Sequence, residues 1–250
     1  MAQKTTQKRR KRSHRLRNGL LLAVLLLAAV TTVTTLHTAL RSWRLATDGC
    51  PDSLISLLER NPETQDFVLD YPEHKGTHAE DLSGEVVQGE IPLFLQWDER
   101  WGYETYGDDF LAVTGCGPTC LSMVVCGLTG EGRWNPYAVA DWAEEQGYYV
   151  DGVGSSWELM DQGAQFLGLT VVDVSYNADS ILAALGEGTP IICSMGPGDF
   201  TSSGHFIVLT GVDDDGNVTV NDPNSRKNSQ KIWAIDTLIP QMRNLWGYCL

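Results

Sequence analysis

Positive charge is what this chain has least of in the part that reads as a folded domain. Beyond Arg44 only eight Lys and Arg residues stand against all 32 Asp and Glu of the sequence. Such a surface repels phosphate backbones and anionic lipid, which excludes nucleic acid as a partner of that part. Metal-ligand spacing is missing too. The six cysteines, Cys50, Cys116, Cys120, Cys126, Cys193 and Cys249, form neither a zinc pattern nor a dense disulfide scaffold. Asp213-Asp214-Asp215 lacks the distal bidentate Glu of a calcium loop and reads as a solvated turn. No metal and no cofactor is expected. Histidine is scarce: of His14, His37, His74, His78 and His205, only His205 falls in the part read as folded, so a histidine base has one candidate. There is no internal repeat and no low-complexity tract, as suits one globular domain.

Charge is absent altogether between Arg17 and Arg41. At about 1.5 Å per residue, that Leu/Ala/Val-rich stretch spans roughly 35 Å as a helix, enough to cross a bilayer. Residues 1–18 carry eight basic residues and no acid, so this end is expected to stay in the cytoplasm. A cleaved signal peptide is the rival reading, because Leu20 to Val30 is short enough for its apolar core, although no clean cleavage site follows. Both readings export the acidic domain. The expected organisation is a basic tail over 1–18, an anchor or signal over 19–40, a stalk and extension over 41–90, and a catalytic domain over 91–250. The third segment contains Pro51, Pro62 and Pro72, with a short amphipathic helix at Ser53–Arg60.

The most informative residues present are Gly115-Cys116-Gly117-Pro118-Thr119-Cys120-Leu121. They put a cysteine at the mouth of an apolar helix. Pro118 suits the first turn, and Leu121, Met123, Val124 and Val125 supply the face to be buried. At a helix N-terminus the aligned peptide dipoles favour thiolate over thiol, and the free N–H groups await an oxyanion. A buried structural cysteine is the alternative for the motif alone.

A cysteine nucleophile needs a base, an orienting group and an oxyanion donor. His205 opens the β-branched run His205–Val212, and Asp213-Asp214-Asp215-Gly216 is hairpin chemistry, with Asn217–Asn221 as the return strand. A hairpin returns the end of its second strand to the start of its first. Asp222 is thereby brought near His205, where it can fix the imidazole tautomer. Gln96, in the Leu95-Gln96-Trp97-Asp98 segment, has an amide N–H to offer an oxyanion, with the Cys116 N–H as the second donor. Further expectations are helices at 136–146 (capped by Asn135), 157–167 (capped by Ser155-Ser156) and 180–185 (capped by Asp179), and strands at 169–174 and 190–195.

The ordered set QWDERW, GCGPTC, GHFIVLTGV and VNDPN, from about Ile91 onward, resembles papain-fold cysteine peptidases of the bacteriocin-processing, double-glycine type. Gly115 departs from the charged residue that precedes the nucleophile in transporter-linked members. The resemblance implies Cys116 as nucleophile, His205 as general base and acid, Asp222 as orienting carboxylate and Gln96 as oxyanion donor. It also implies a papain-like α+β fold, with the nucleophile on a helix and His and Asp on an antiparallel sheet, and a peptide or protein substrate. A peptidoglycan amidase or transpeptidase with the same triad, and a catalytically silent binding module, are the alternatives.

Overall fold

The computed structural model describes residues 49–74 and 84–250, together with Val24, Thr32, residues 45–47, Gly76, His78, Asp81 and Leu82. The basic tail, and the anchor expected over 19–40 apart from Val24 and Thr32, lie outside the described residues. Among the described residues no helix is long and apolar enough to cross a membrane. The chain divides into a unit ending at Pro51 and a compact unit from Asp52 to Leu250. The candidate site lies in the second.

That unit starts earlier than the sequence suggests. Helix α1 (Asp52–Arg60) is the expected amphipathic helix, burying Leu54, Ile55 and Leu57. Pro62 does not break the structure after it: Asn61 caps a turn whose second residue is Pro62, where no N–H is needed. Helix α2 (Gln65–His74) follows and runs on through Pro72 in its last turn. Tyr103 stacks on Phe67 at 4.2 Å and donates its hydroxyl to the Phe67 carbonyl, which fastens this arm to the domain. His74 and His78 therefore belong to the folded part as well, His78 beside Glu104 and Tyr137.

The centre of the unit is a six-stranded antiparallel sheet. Its strands are β1 (Thr170–Val172), β2 (Ile191–Met195), β3 (His205–Val212), β4 (Asn217–Asn221), β5 (Ile232–Ala234) and β6 (Met242–Cys249). Their spatial order is β1-β6-β2-β3-β4-β5. Alternation along β3 divides the core. Phe206 and Val208 pack with Leu121 and Val124 of α3 (Cys116–Thr129), whereas Ile207 and Leu209 pack with Ile181 and Leu185 of α5 (Ala178–Gly186) on the other face. Between them in sequence, α4 (Pro136–Glu145) is capped by Asn135 as expected, its side chain accepting from the Ala138 N–H. This mixed helix and sheet architecture is the α+β class, with helices early and strands late.

Two caps differ from expectation. Asn177, in extended backbone, accepts from the Ser180 N–H and caps α5, leaving Asp179 inside the first turn. Ser155 is not a cap at all but part of a two-residue strand paired with Tyr149-Val150. The helix after it opens with a π-turn over Leu159–Gly163. In both cases the residue whose backbone is extended decides the role, which composition does not reveal.

Candidate active site

Helix α3 begins at Cys116, with Gly115 before it and αL Gly130 closing its far end. Leu121, Met123, Val124 and Val125 have no exposed surface, and each such burial is worth about 1.5–3 kcal/mol. The helix is thus pinned from Gly117 onward, and Cys116 at its start keeps some exposure and can serve the site. As the first helical residue, Cys116 has an N–H with no intrahelical acceptor. Gly117 has a separate reason to be glycine. A Cβ there would run into the Ser155 hydroxyl, so only glycine lets the Gly154-Ser155 strand close against the first turn. Behind it the Ser155 hydroxyl and the Tyr106 phenol hydrogen-bond at 2.8 Å. Tyr106 is fully buried, and burial, opposed by the Ser155 bond and helped by the nearby Cys116 charge, pushes its pKa well up.

His205 starts β3, opposite Met195 of β2. Its Nε2 lies 2.8 Å from Asp222 Oδ1. A carboxylate only accepts, so Nε2 carries the proton and Nδ1 is the nitrogen left for Cys116. Asp222, 1% exposed, is itself held on all sides. Its Oδ1 accepts from the Asn224 N–H, Oδ2 accepts from Asn228 Nδ2 at 2.8 Å, and its backbone N–H donates to Ser229 Oγ. The arm reaches this loop as well: Asn61 Nδ2 donates to the Asn224 carbonyl at 2.7 Å, and Ser225 donates to Glu63. Sequence reading missed Asn228 and the arm because neither carries a motif; only the folded loop aims them at Asp222.

The electrostatics of the pair agree. Burial opposes the Cys116 thiolate, yet hydrogen bonding and charge from His205, with backbone hydrogen bonds from Phe206 and Gly117, bring its pKa below the ordinary thiol value. Burial likewise opposes the imidazolium, but the Asp222 charge and hydrogen bond and the Cys116 side chain raise His205 from 6.5 to about 10. Both shifts favour a thiolate–imidazolium pair. One turn further on, Cys120 lies wholly in the core and burial drives its pKa well up, so the two cysteines of the motif differ in kind.

Gln96 is 3% exposed. Its backbone N–H donates to the Pro223 carbonyl and its Nε2 to the Ala112 carbonyl at 2.8 Å. It therefore ties the turn after Asp222 to the segment leading into Cys116. Turning the amide over would set two oxygens face to face, so Nε2 stays toward Ala112 with its second N–H in hand, while Oε1 is buried without a partner. Cys116 and His205 open onto a cleft of about 820 Å³ walled by Asp108, Ser155, Trp157 and Arg243 among others; Gln96 is not on its surface. Trp157 is half exposed there, whereas Trp97 and Trp101 are buried.

Cys116 and His205, expected as nucleophile and base, thus share one cleft, and Asp222, expected as the orienting acid, is hydrogen-bonded to His205 behind them. Among the described residues no group of three or more His, Cys, Asp or Glu side chains is arranged to hold a metal ion. No curated protein matches the chain. Residues 88–249 match the Peptidase_C39 like family, and this span takes in all four motifs and the whole sheet. The chain belongs to that family of papain-like peptidases.

Proposed function

We propose that this protein is a cysteine peptidase that hydrolyses peptide bonds through Cys116, His205 and Asp222 by way of a thioester. The observation that carries the reading is the imidazole held at 2.8 Å by Asp222 on Nε2, with its other nitrogen left for a thiol that shares its cleft at a helix N-terminus. His205 Nδ1 takes the thiol proton. The sulfur then attacks the scissile carbonyl carbon, a C–S bond forms, and the carbonyl π electrons move onto oxygen. Our assignment gives that oxyanion two donors, the Cys116 backbone N–H and the remaining Nε2–H of Gln96. As the C=O re-forms, the C–N bond breaks and the imidazolium gives its proton to the departing amine. Water attacks the thioester next, passing a proton to His205, which returns it to sulfur as the acid leaves.

The reading also places the domain outside the cytoplasm on an N-terminal anchor. Its support is the uncharged stretch between Arg17 and Arg41 behind a basic head.

Incubating the domain with a diverse peptide library, with Cys116→Ala as the control, tests the chemistry. Cleavage products that require Cys116 are expected, and products that persist in the alanine variant overturn the mechanism. Protease added to intact cells is expected to remove the domain; protection until lysis refutes the orientation.

A further inference from the structure

The cleft is not electrically uniform. Arg243 lines it near Gly204, the residue before His205, and Asp108 and Asp109 line it too, Asp108 beside Tyr149 and Gly152. Apart from His205, Arg243 is the one basic side chain among the described residues that line the cleft. Its position results from a bulge. Strand β6 pairs with β2 through Met242↔Met195 and then Asn244↔Ser194, so Arg243 is the extra residue with no partner across the ladder. A bulge of this kind re-aims a side chain. Here the neighbouring Met242 stays buried in the core while Arg243 is exposed over the rim.

Gly196 leaves space for it, and the guanidinium reaches as far as Gly204. A Cβ on Gly196 would meet Arg243 Nε at 2.8 Å, and one on Gly204, the residue before His205, would meet Nη1 at 3.9 Å. The guanidinium therefore lies across bare backbone beside the base. It has no salt bridge and no hydrogen bond among the described residues, whereas Arg100 pairs with Asp98 and Glu85, and Arg133 with Glu131. Arg60 and Arg226 meet no carboxylate either, but Arg60 donates to the Ser56 carbonyl and Arg226 lies over the Trp97 ring, whereas the Arg243 guanidinium lines the cleft beside the base. Its planar fork matches a carboxylate through two parallel hydrogen bonds.

We infer that Arg243 is a substrate-recognition residue that takes a carboxylate of the peptide on the His205 side of the cleft. The carboxylate belongs either to an Asp or Glu side chain or to the substrate's C-terminus. The inference rests on the peptidase reading and adds the charge of the group that the site selects.

Pairs of peptides cleaved by the enzyme, differing by Glu for Gln at successive positions and each made with a free or an amidated C-terminus, separate the two sources. The preferred acidic member of a pair is expected to exceed its neutral mate by about tenfold in kcat/KM, the effect of roughly 1.4 kcal/mol. Arg243→Ala is expected to abolish that ratio, Arg243→Glu to invert it, and Arg243→Lys to restore part of it. A ratio near one in the wild type, or one that survives in Arg243→Ala, overturns the inference. A second measurement does not depend on turnover: the rate of Cys116 alkylation by iodoacetate relative to neutral iodoacetamide. This ratio is expected to fall about threefold in Arg243→Ala, and the difference between the two proteins to shrink at high salt. Absence of any cleaved peptide counts against the peptidase reading, and the alkylation ratio then decides Arg243 alone: a fall supports it, an unchanged ratio refutes it.

Discussion

The two halves of the site are built in opposite ways. Cys116 sits on a helix whose fourteen residues are consecutive, whose backbone hydrogen bonds are local, and whose buried residues from Gly117 to Gly127 anchor it while Cys116 itself stays partly exposed. His205 and Asp222 are 17 positions apart, meet across a hairpin with a register shift between Leu209 and Gly211, and are braced by Asn224, Asn228, Ser229 and an arm from Asn61–Glu63. The helical half can be described residue by residue. The sheet half is a network in which each group depends on several others. What this teaches is where the site is tolerant: loss at the helix mouth removes a chemical group and little structure, while loss at the sheet corner loosens a set of partners together.

The largest effect is expected where the halves meet. Cys116→Ala is expected to abolish turnover with the fold unchanged by circular dichroism, and His205→Ala to come close to it. The double variant is expected to be no slower than either single one, because nucleophile and base act as a unit. A much slower double variant would separate the two halves functionally.

Next comes Gln96, which touches both. If its second N–H serves the oxyanion, Gln96→Ala lowers kcat by about 10²–10³ with little change in KM. A raised KM at normal kcat, with lowered stability, would make Gln96 only a brace between Pro223 and Ala112.

Asp222→Asn sharpens the comparison through pH. The mutation removes the charge that raises His205 to about 10, so it is expected to lower the imidazole pKa and raise that of the Cys116 thiol. The alkylation profile of Cys116 would shift to higher pH, and peptide turnover would fall by less than in Cys116→Ala. The sign for stability follows from the direction of the shift. A His raised on folding stabilises fully below about pH 6.5, and that contribution is lost as pH rises through about 10. Chemical denaturation across that range, in the wild type and in Asp222→Asn, would measure it; an equal pH slope in both would refute the coupling.

A smaller effect is expected at Gly117→Ala, where the new methyl meets the Ser155 side chain and costs about 1–3 kcal/mol of overpacking. Thermal unfolding would read it. The smallest effect is at Cys120, whose buried thiol is expected to stay unlabelled under conditions that fully alkylate Cys116.

Much of the helical half was legible beforehand because its rules are local. Pro118 in a first turn and an apolar face after it need nothing distant to be read. The hairpin, too, was legible from Asp-Gly between β-branched runs, and it carried His205 and Asp222 to each other as expected. Local signals failed where a residue's role depends on what lies across from it. Ser155 resembles a cap yet is a cleft wall, because its backbone pairs with Tyr149 and its hydroxyl with Tyr106.

Residue type and spacing along the chain are enough to read the candidate nucleophile, base and acid, the α+β order of elements and the excess of acid. The imidazole nitrogen left for the thiol, the support that Asn228 and Asn61 give the Asp222 loop, and the bulge that sets Arg243 at the cleft emerge only in the folded chain. Hydrogen bonds and desolvation act over a few ångströms in space. The groups that set a charge or aim a side chain here are separated by tens of residues in the chain, and no periodicity records that meeting.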